Sequence, residues 1–219
     1  MEHSNPRHLS QVLSQAAEVA EIPILPEQAE LLARYISELK RWNQSINLTA
    51  IENDEEIVVK HIIDSLAATK WLDIPLMASV LDIGAGAGFP GMPIKLVRPD
   101  LIMDLLEPNE KKAAFLRYMI GMLKLRDANV ISAKIEDCLE RLPRAGTYHY
   151  IVVRAFKVDS CGEVIAKLVR PAGSLVLYRA AKVEVDFKLN RLALVREVEY
   201  ELPSGFGHRV LSVFSPSSR

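Results

Sequence analysis

Apolar positions recur at helical spacing through the first third of the chain and in strand-length runs beyond it. Leu9, Val12, Leu13, Ala16 and Ala20 share one face of a helix predicted over 7–21, and Leu31, Leu32, Tyr35, Ile36 and Leu39 do the same over 26–43, with Pro23 and Pro26 punctuating the join. A third helix is predicted over 55–68, where Val58, Ile62, Ser65 and Ala68 share a face and His61, Asp64 and Ser65 cluster at i, i+3 and i+4. From Ser79 the pattern changes. Apolar runs at 79–83, 101–107, 128–133, 149–154 and 173–179 are separated by helix-length amphipathic segments, as in a parallel sheet covered on both faces. Residues 194–202 and 209–214 have no helix between them, only Pro203-Ser204-Gly205-Phe206-Gly207, and should pair antiparallel. The expected fold is α/β and Rossmann-like. A mostly parallel seven-stranded sheet with an antiparallel terminal hairpin occupies residues 79–219 and follows an N-terminal helical extension over 1–72, all in one domain of 219 residues.

The first strand runs directly into Gly84-Ala85-Gly86-Ala87-Gly88-Phe89-Pro90-Gly91, where every second residue at the start is glycine. Such a loop lets a ligand approach backbone, because glycine accepts positive φ and places no Cβ in the way. Gly86, Gly88 and Gly91 satisfy the G-x-G-x-x-G string of dinucleotide-binding loops, a weak signal by itself. Asp82 separates the readings. A carboxylate ending the strand would oppose a pyrophosphate but favour the cationic sulfonium and ammonium of S-adenosylmethionine. A phosphate-binding P-loop is excluded by the missing Gly-Lys-Ser/Thr ending. Glu107 closes the second strand, 21 residues beyond Gly86, close to the spacing of a ribose-binding carboxylate. The alternative for Glu107 is support of the next helix N-terminus, where Asn109 is a plausible cap. Five alternating strands and a terminal hairpin also fit a class I methyltransferase, whereas nicotinamide-binding domains usually continue with parallel units.

Composition narrows the class without choosing the activity. Hydrophobic residues make up 49% of the chain, yet no apolar run approaches the ~18 residues of a membrane span, and Met1 to His8 lack a signal-peptide core. A cytoplasmic location is the default expectation, with no membrane partner. Cys138 and Cys161 have no metal-type spacing, so they are read as reduced filler and no metal is expected. The net charge of −1 conceals an asymmetry: residues 1–78 carry −6 and residues 79–219 carry +5. A positive catalytic region is compatible with a phosphate-rich substrate, and equally with an ordinary solvated surface.

Several further motifs lie outside the glycine loop: Arg41-Trp42-Asn43 with Ile46-Asn47-Leu48-Thr49, His61-Ile62-Ile63-Asp64-Ser65, Glu107-Pro108-Asn109-Glu110-Lys111-Lys112, Val153-Arg154-Ala155-Phe156 and His208-Arg209-Val210-Leu211. With these the chain resembles, over nearly its whole length, the bacterial guanine-N7 methyltransferases of small-subunit ribosomal RNA, a family also called glucose-inhibited division protein B. The resemblance implies S-adenosylmethionine as cofactor, contacted at Gly84, Phe89, Ile135, Glu136 and Arg154. It also implies guanine 527 in the 530 loop of 16S ribosomal RNA as substrate, within the small subunit. Two departures stand out: Gly84-Ala85-Gly86 replaces the family's Gly-Thr-Gly, and Tyr178-Arg179-Ala180-Ala181-Lys182 replaces its Lys-Gly pair after strand five, leaving Lys182 as the candidate for that lysine.

Guanine N7 exposes a lone pair, so catalysis is expected to be mostly alignment of N7 with the methyl–sulfur bond. Arg154, Asp64 and Lys182 are the catalytic candidates: Arg154 to position O6 or phosphate, Asp64 to stabilise the product cation or accept a purine N–H. His61 is balanced between a structural partner of Asp64 and a substrate contact. Asn47 either hydrogen-bonds a nucleotide or ends a helix. Lys182 and Arg209 are expected on the RNA face, and the protein is expected to be a monomer. A methyltransferase for a small molecule or protein and an NAD-dependent oxidoreductase stay open as alternatives.

Overall fold

The computed structural model describes residues 6–158, 160–184, 187 and 189–217, so positions 1–5 of the expected extension lie outside the described residues. Seven strands form one sheet: β1 (Ser79–Ile83), β2 (Ile102–Leu106), β3 (Ala128–Ile131), β4 (Tyr148–Arg154), β5 (Val169–Arg179), β6 (Leu192–Glu201) and β7 (His208–Pro216). Their order is β3-β2-β1-β4-β5-β7-β6, parallel except where β7 pairs with β5 and β6. Successive parallel strands step outward from β1 in one direction to β3, then from β4 in the other. The crevice where open α/β sheets hold ligands therefore lies beyond the carboxyl ends of β1 and β4. Among the described residues no helix is long and apolar enough to cross a membrane.

The central strands are buried on both faces, which explains their nearly continuous apolar sequences. Val80, Val152, Val176 and Tyr178 point toward the N-terminal helices, while Leu81, Ile83, Ile151, Val153, Leu175 and Leu177 point into a second core. Helices α1 (Pro6–Val19) and α2 (Pro26–Asn43) lie on the first face, followed by α3 (Asp54–Ile57) and α4 (Asp64–Trp71), then α5 (Gly91–Val97) and α6 (Glu110–Met122). The short α7 (Gly162–Leu168) packs into the second core. Tyr35 of α2 is fully buried, and its hydroxyl donates to the Ala87 carbonyl of the glycine loop. This contact fastens the helical extension to the ligand edge of the sheet. Replacing Tyr35 by Phe should lower stability by about 1 kcal/mol, because a buried carbonyl loses its partner while the ring stays packed. Equilibrium urea melts would measure this.

Two expectations need correction. The helix-length segment between β3 and β4 contains only a short 3₁₀ turn, Ile135–Asp137, followed by turns. Ile135, Cys138 and Leu142 still bury their apolar side chains, but Pro143 and Gly146 interrupt the segment before a helix is established. The third helix is likewise not a continuous α-helix. Between α3 and α4, Val58–Ile63 form a π-helical turn, and the Asp64 N–H bonds the carbonyl of Val59, five residues back, as well as that of His61. The extra residue in that turn alters the α-helical phase that placed His61, Asp64 and Ser65 in one stack.

Candidate active site

The glycine loop is held from three sides. Gly84 and Ala85 donate their N–H groups to the Leu106 carbonyl at 2.9 and 3.1 Å, tying the end of β1 to β2. Gly88 has φ +101°, and a Cβ there would lie 2.6 Å from Met92 Cγ and 2.7 Å from the Tyr35 hydroxyl, so this glycine is required for packing. Gly86 has φ +58°, but a Cβ there would meet nothing closer than the Gly84 carbonyl at 3.8 Å. Its open side is the space available to a ligand. Glu107 accepts from Gly86 N–H through Oε2 and from Asn109 N–H through Oε1, both at 2.8 Å. It therefore links the loop to the cap of α6, and each oxygen retains a lone pair for another donor.

Asp82 lies beneath this loop, not at its mouth. It has no solvent exposure; Oδ2 accepts from Gly91 N–H at 2.8 Å, and Oδ1 is buried without a partner among the described residues. Burial is the main cause that raises its pKa from 3.8 to about 7, against the lowering effects of the Gly91 hydrogen bond and the Arg154 charge. The folded protein thus binds a proton that the unfolded chain releases, and this contribution to stability is lost as pH rises from about 4 through 7. An Asp82→Asn variant should gain relative to the native chain across that interval, with the difference level above it. Urea melts at pH 5 and pH 8 would reveal the widening.

Arg154 ends β4 and enters a polar cluster created by the π turn. Because Asp64 N–H bonds Val59 O, the Lys60 carbonyl is released from that helical bond and accepts from Arg154 Nη1 at 2.9 Å. Nη1 also reaches Asp64 Oδ2 at 3.1 Å, while Nη2 donates to His61 Nδ1 at 2.8 Å. The guanidinium sits 5.2 Å from the centre of the Phe89 ring, and the His61 ring stacks on Phe89 with centroids 4.5 Å apart. Asp64 is buried; its Oδ1 accepts from the Tyr200 hydroxyl at 2.8 Å and lies 3.9 Å from Arg209 Nε. These side chains come from the π turn, α4, the glycine loop, β4, β6 and β7, far apart in sequence.

Three of the candidate residues have partners within the protein. Asp64 accepts from Arg154 through Oδ2 and from Tyr200 through Oδ1, with Arg209 close by, so it holds these side chains in place. His61 bonds Arg154 and Thr49, not Asp64; desolvation, followed by the Arg154 charge, lowers its pKa to about 3 and keeps it neutral. Lys182 is separated from the cluster by the alternation of β6. It pairs with Glu199 at 2.6 Å, whereas the next residue, Tyr200, points to Asp64 from the opposite face.

Around the rim, Phe89 is buried, Ile135 is buried in the turn after β3, and Glu136 is exposed with its Oε1 3.9 Å from Cys161 Sγ. Asn47 is exposed on the loop after α2. That loop is organised by Asn43, whose side chain accepts from Leu48 and Thr49 N–H groups and donates to the Thr49 carbonyl at 2.8–3.0 Å. The structural importance of Tyr35, Asn43, Thr49 and Tyr200 was not identified from sequence. Asn43 and Thr49 belong to quoted motifs, but Tyr200 shows only strand alternation and meets a partner 136 positions away.

The chain is similar to proteins of one family. The family described as rRNA small subunit methyltransferase G matches residues 28–205. A protein of Roseiflexus sp. (strain RS-1) named Ribosomal RNA small subunit methyltransferase G is 40% identical over 171 residues, covering 77% of this chain and 72% of its own length. Among solved structures, MtNAS in complex with MTA and tNA superposes with TM-score 0.60 at 12% identity, covering 100% of this chain and 92% of that one. The M. jannaschii protein TYW2 in complex with AdoMet gives 0.52 at 15%, covering 69% and 75% respectively. These structures share the fold of a class I methyltransferase, and the chain belongs to the rRNA small subunit methyltransferase G family.

Proposed function

We infer that this protein transfers a methyl group from S-adenosylmethionine to N7 of guanine 527 in the 530 loop of 16S ribosomal RNA, acting in the cytoplasm as a monomer on the small subunit. The observation that carries this reading is the open Gly86 cradle, joined to Glu107 on one side and to the Phe89–Arg154–His61 cluster on the other, in a chain of this family. Residues from 79 onward form the catalytic core, and the helices before residue 72 form an extension that buttresses it through Tyr35.

S-adenosylmethionine supplies the electrophilic methyl group. The chain binds it along Gly84, Gly86 and Gly88, with Glu107 accepting from the ribose hydroxyls and Ile135 and Glu136 near the adenine. Phe89 and Arg154 border the methionine end. Asp82 acts from below the loop, where its unpartnered Oδ1 favours a nearby cation. Guanine N7 has a free lone pair and needs no base, so no residue of this chain has to take up a proton. Neutral His61 and the fixed guanidinium of Arg154 serve alignment, and Asp64 is their positioning residue. Asn47 and Arg209 face the RNA, with Lys182 contributing charge from the outer face of the hairpin.

Transfer of labelled methyl from S-adenosylmethionine tests this reading, with acceptors comprising small subunits from a strain lacking the modification, naked 16S RNA and the corresponding cell extract. Label should enter 16S RNA of the small subunit. Label confined to protein or small molecules would contradict the reading.

A further inference from the structure

Among the described residues, the cluster around His61 leaves one hydrogen-bond donor without a partner. The guanidinium of Arg154 can only donate, so His61 Nδ1 must accept, and the neutral ring carries its proton on Nε2. His61 Nε2 lies 2.8 Å from Thr49 Oγ1 and therefore donates to it, while Ile51 N–H donates to the same oxygen at 3.1 Å. Both lone pairs of the Thr49 hydroxyl are then occupied, and it can act only as a donor. Among the described residues its proton has no acceptor. Thr49 is partly exposed, on the Asn43-braced loop and beside the ring that stacks on Phe89.

We propose that Thr49 is the specificity-determining residue that reads the 6-oxo group of the target guanine, its hydroxyl donating to O6 next to the N7 that receives the methyl. This rests on the guanine-N7 reading above and extends it to base discrimination. O6 and N7 share one edge of the purine, whereas adenine carries an amino donor at position 6. A hydroxyl restricted to donation accepts the first base and opposes the second. Arg154 sets this polarity indirectly by fixing the tautomer of His61, so discrimination depends on a relay of three side chains. A neutral hydroxyl beside an aromatic stack suits a base edge better than a phosphate, for which the cations of the rim are the stronger ligands.

The test compares small subunits reconstituted with either guanine or 2-aminopurine at the target position; 2-aminopurine keeps N7 and lacks O6. The readout is the ratio of kcat/KM on the two substrates for the native chain, Thr49→Ser and Thr49→Val. Any effect of the substitution through His61 or cofactor binding acts on both substrates and cancels in that ratio. The native chain and Thr49→Ser should prefer guanine by roughly tenfold or more, and Thr49→Val should lose the preference. A ratio unchanged in Thr49→Val overturns the proposal, including a phosphate-binding role in which both substrates suffer equally. If the native chain methylates neither substrate, the underlying reading fails as well; if it methylates guanine without coupling to Thr49, only this inference fails.

Discussion

Replacing Gly86 by Val should abolish cofactor binding and methyl transfer while leaving the protein folded. Gly86 differs from Gly88 in what surrounds it. A Cβ at 88 would strike Met92 and Tyr35, so substitution there attacks packing, whereas a Cβ at 86 enters the open side of the loop. The positive φ of Gly86 adds backbone strain of about 1–2 kcal/mol for an L-residue, which a chain of this size can tolerate. Calorimetric titration with S-adenosylhomocysteine should show affinity reduced by roughly a hundredfold or more, equivalent to about 3 kcal/mol, alongside a cooperative melt. Native affinity in the folded variant would move the cofactor away from this loop.

Asp64→Ala should produce the largest loss of stability among substitutions in the cluster. It removes the acceptor shared by Arg154 and Tyr200 and leaves a largely buried guanidinium without its carboxylate. Breaking one side of such a pair costs about 3–5 kcal/mol, or roughly 10 °C in Tm for a protein of this length. Calorimetry would measure the shift. A Tm within a couple of degrees of the native value would show that the cluster contributes little to holding β4, β6, β7 and the π turn together.

The five parallel strands were legible because their burial leaves short apolar runs, the antiparallel hairpin because no helix separates 194–202 from 209–214, and the glycine loop because its conformations require glycine. The π turn at Val58–Ile63 was hidden, since its apolar spacing also fits an α-helix; only the Val59 carbonyl bond to Asp64 reveals it. Asp64 and His61 were recognisable as chemistry but not assignable to roles, because their partners Tyr200, Arg209 and Arg154 come from distant strands. The Lys182–Glu199 pair was hidden for a related reason: the β5–β6 connection alone does not specify which face of β6 receives the lysine. The segment after β3 carries helical spacing that Pro143 and Gly146 prevent from developing into a helix.

The most direct test of the central claim is mass spectrometry of 16S ribosomal RNA from a strain deleted for this protein and lacking any redundant enzyme. The account predicts loss of 7-methylguanine at position 527 alone, restored by the native chain and not by Gly86→Val. Persistence of that modification in the deleted strain would contradict it.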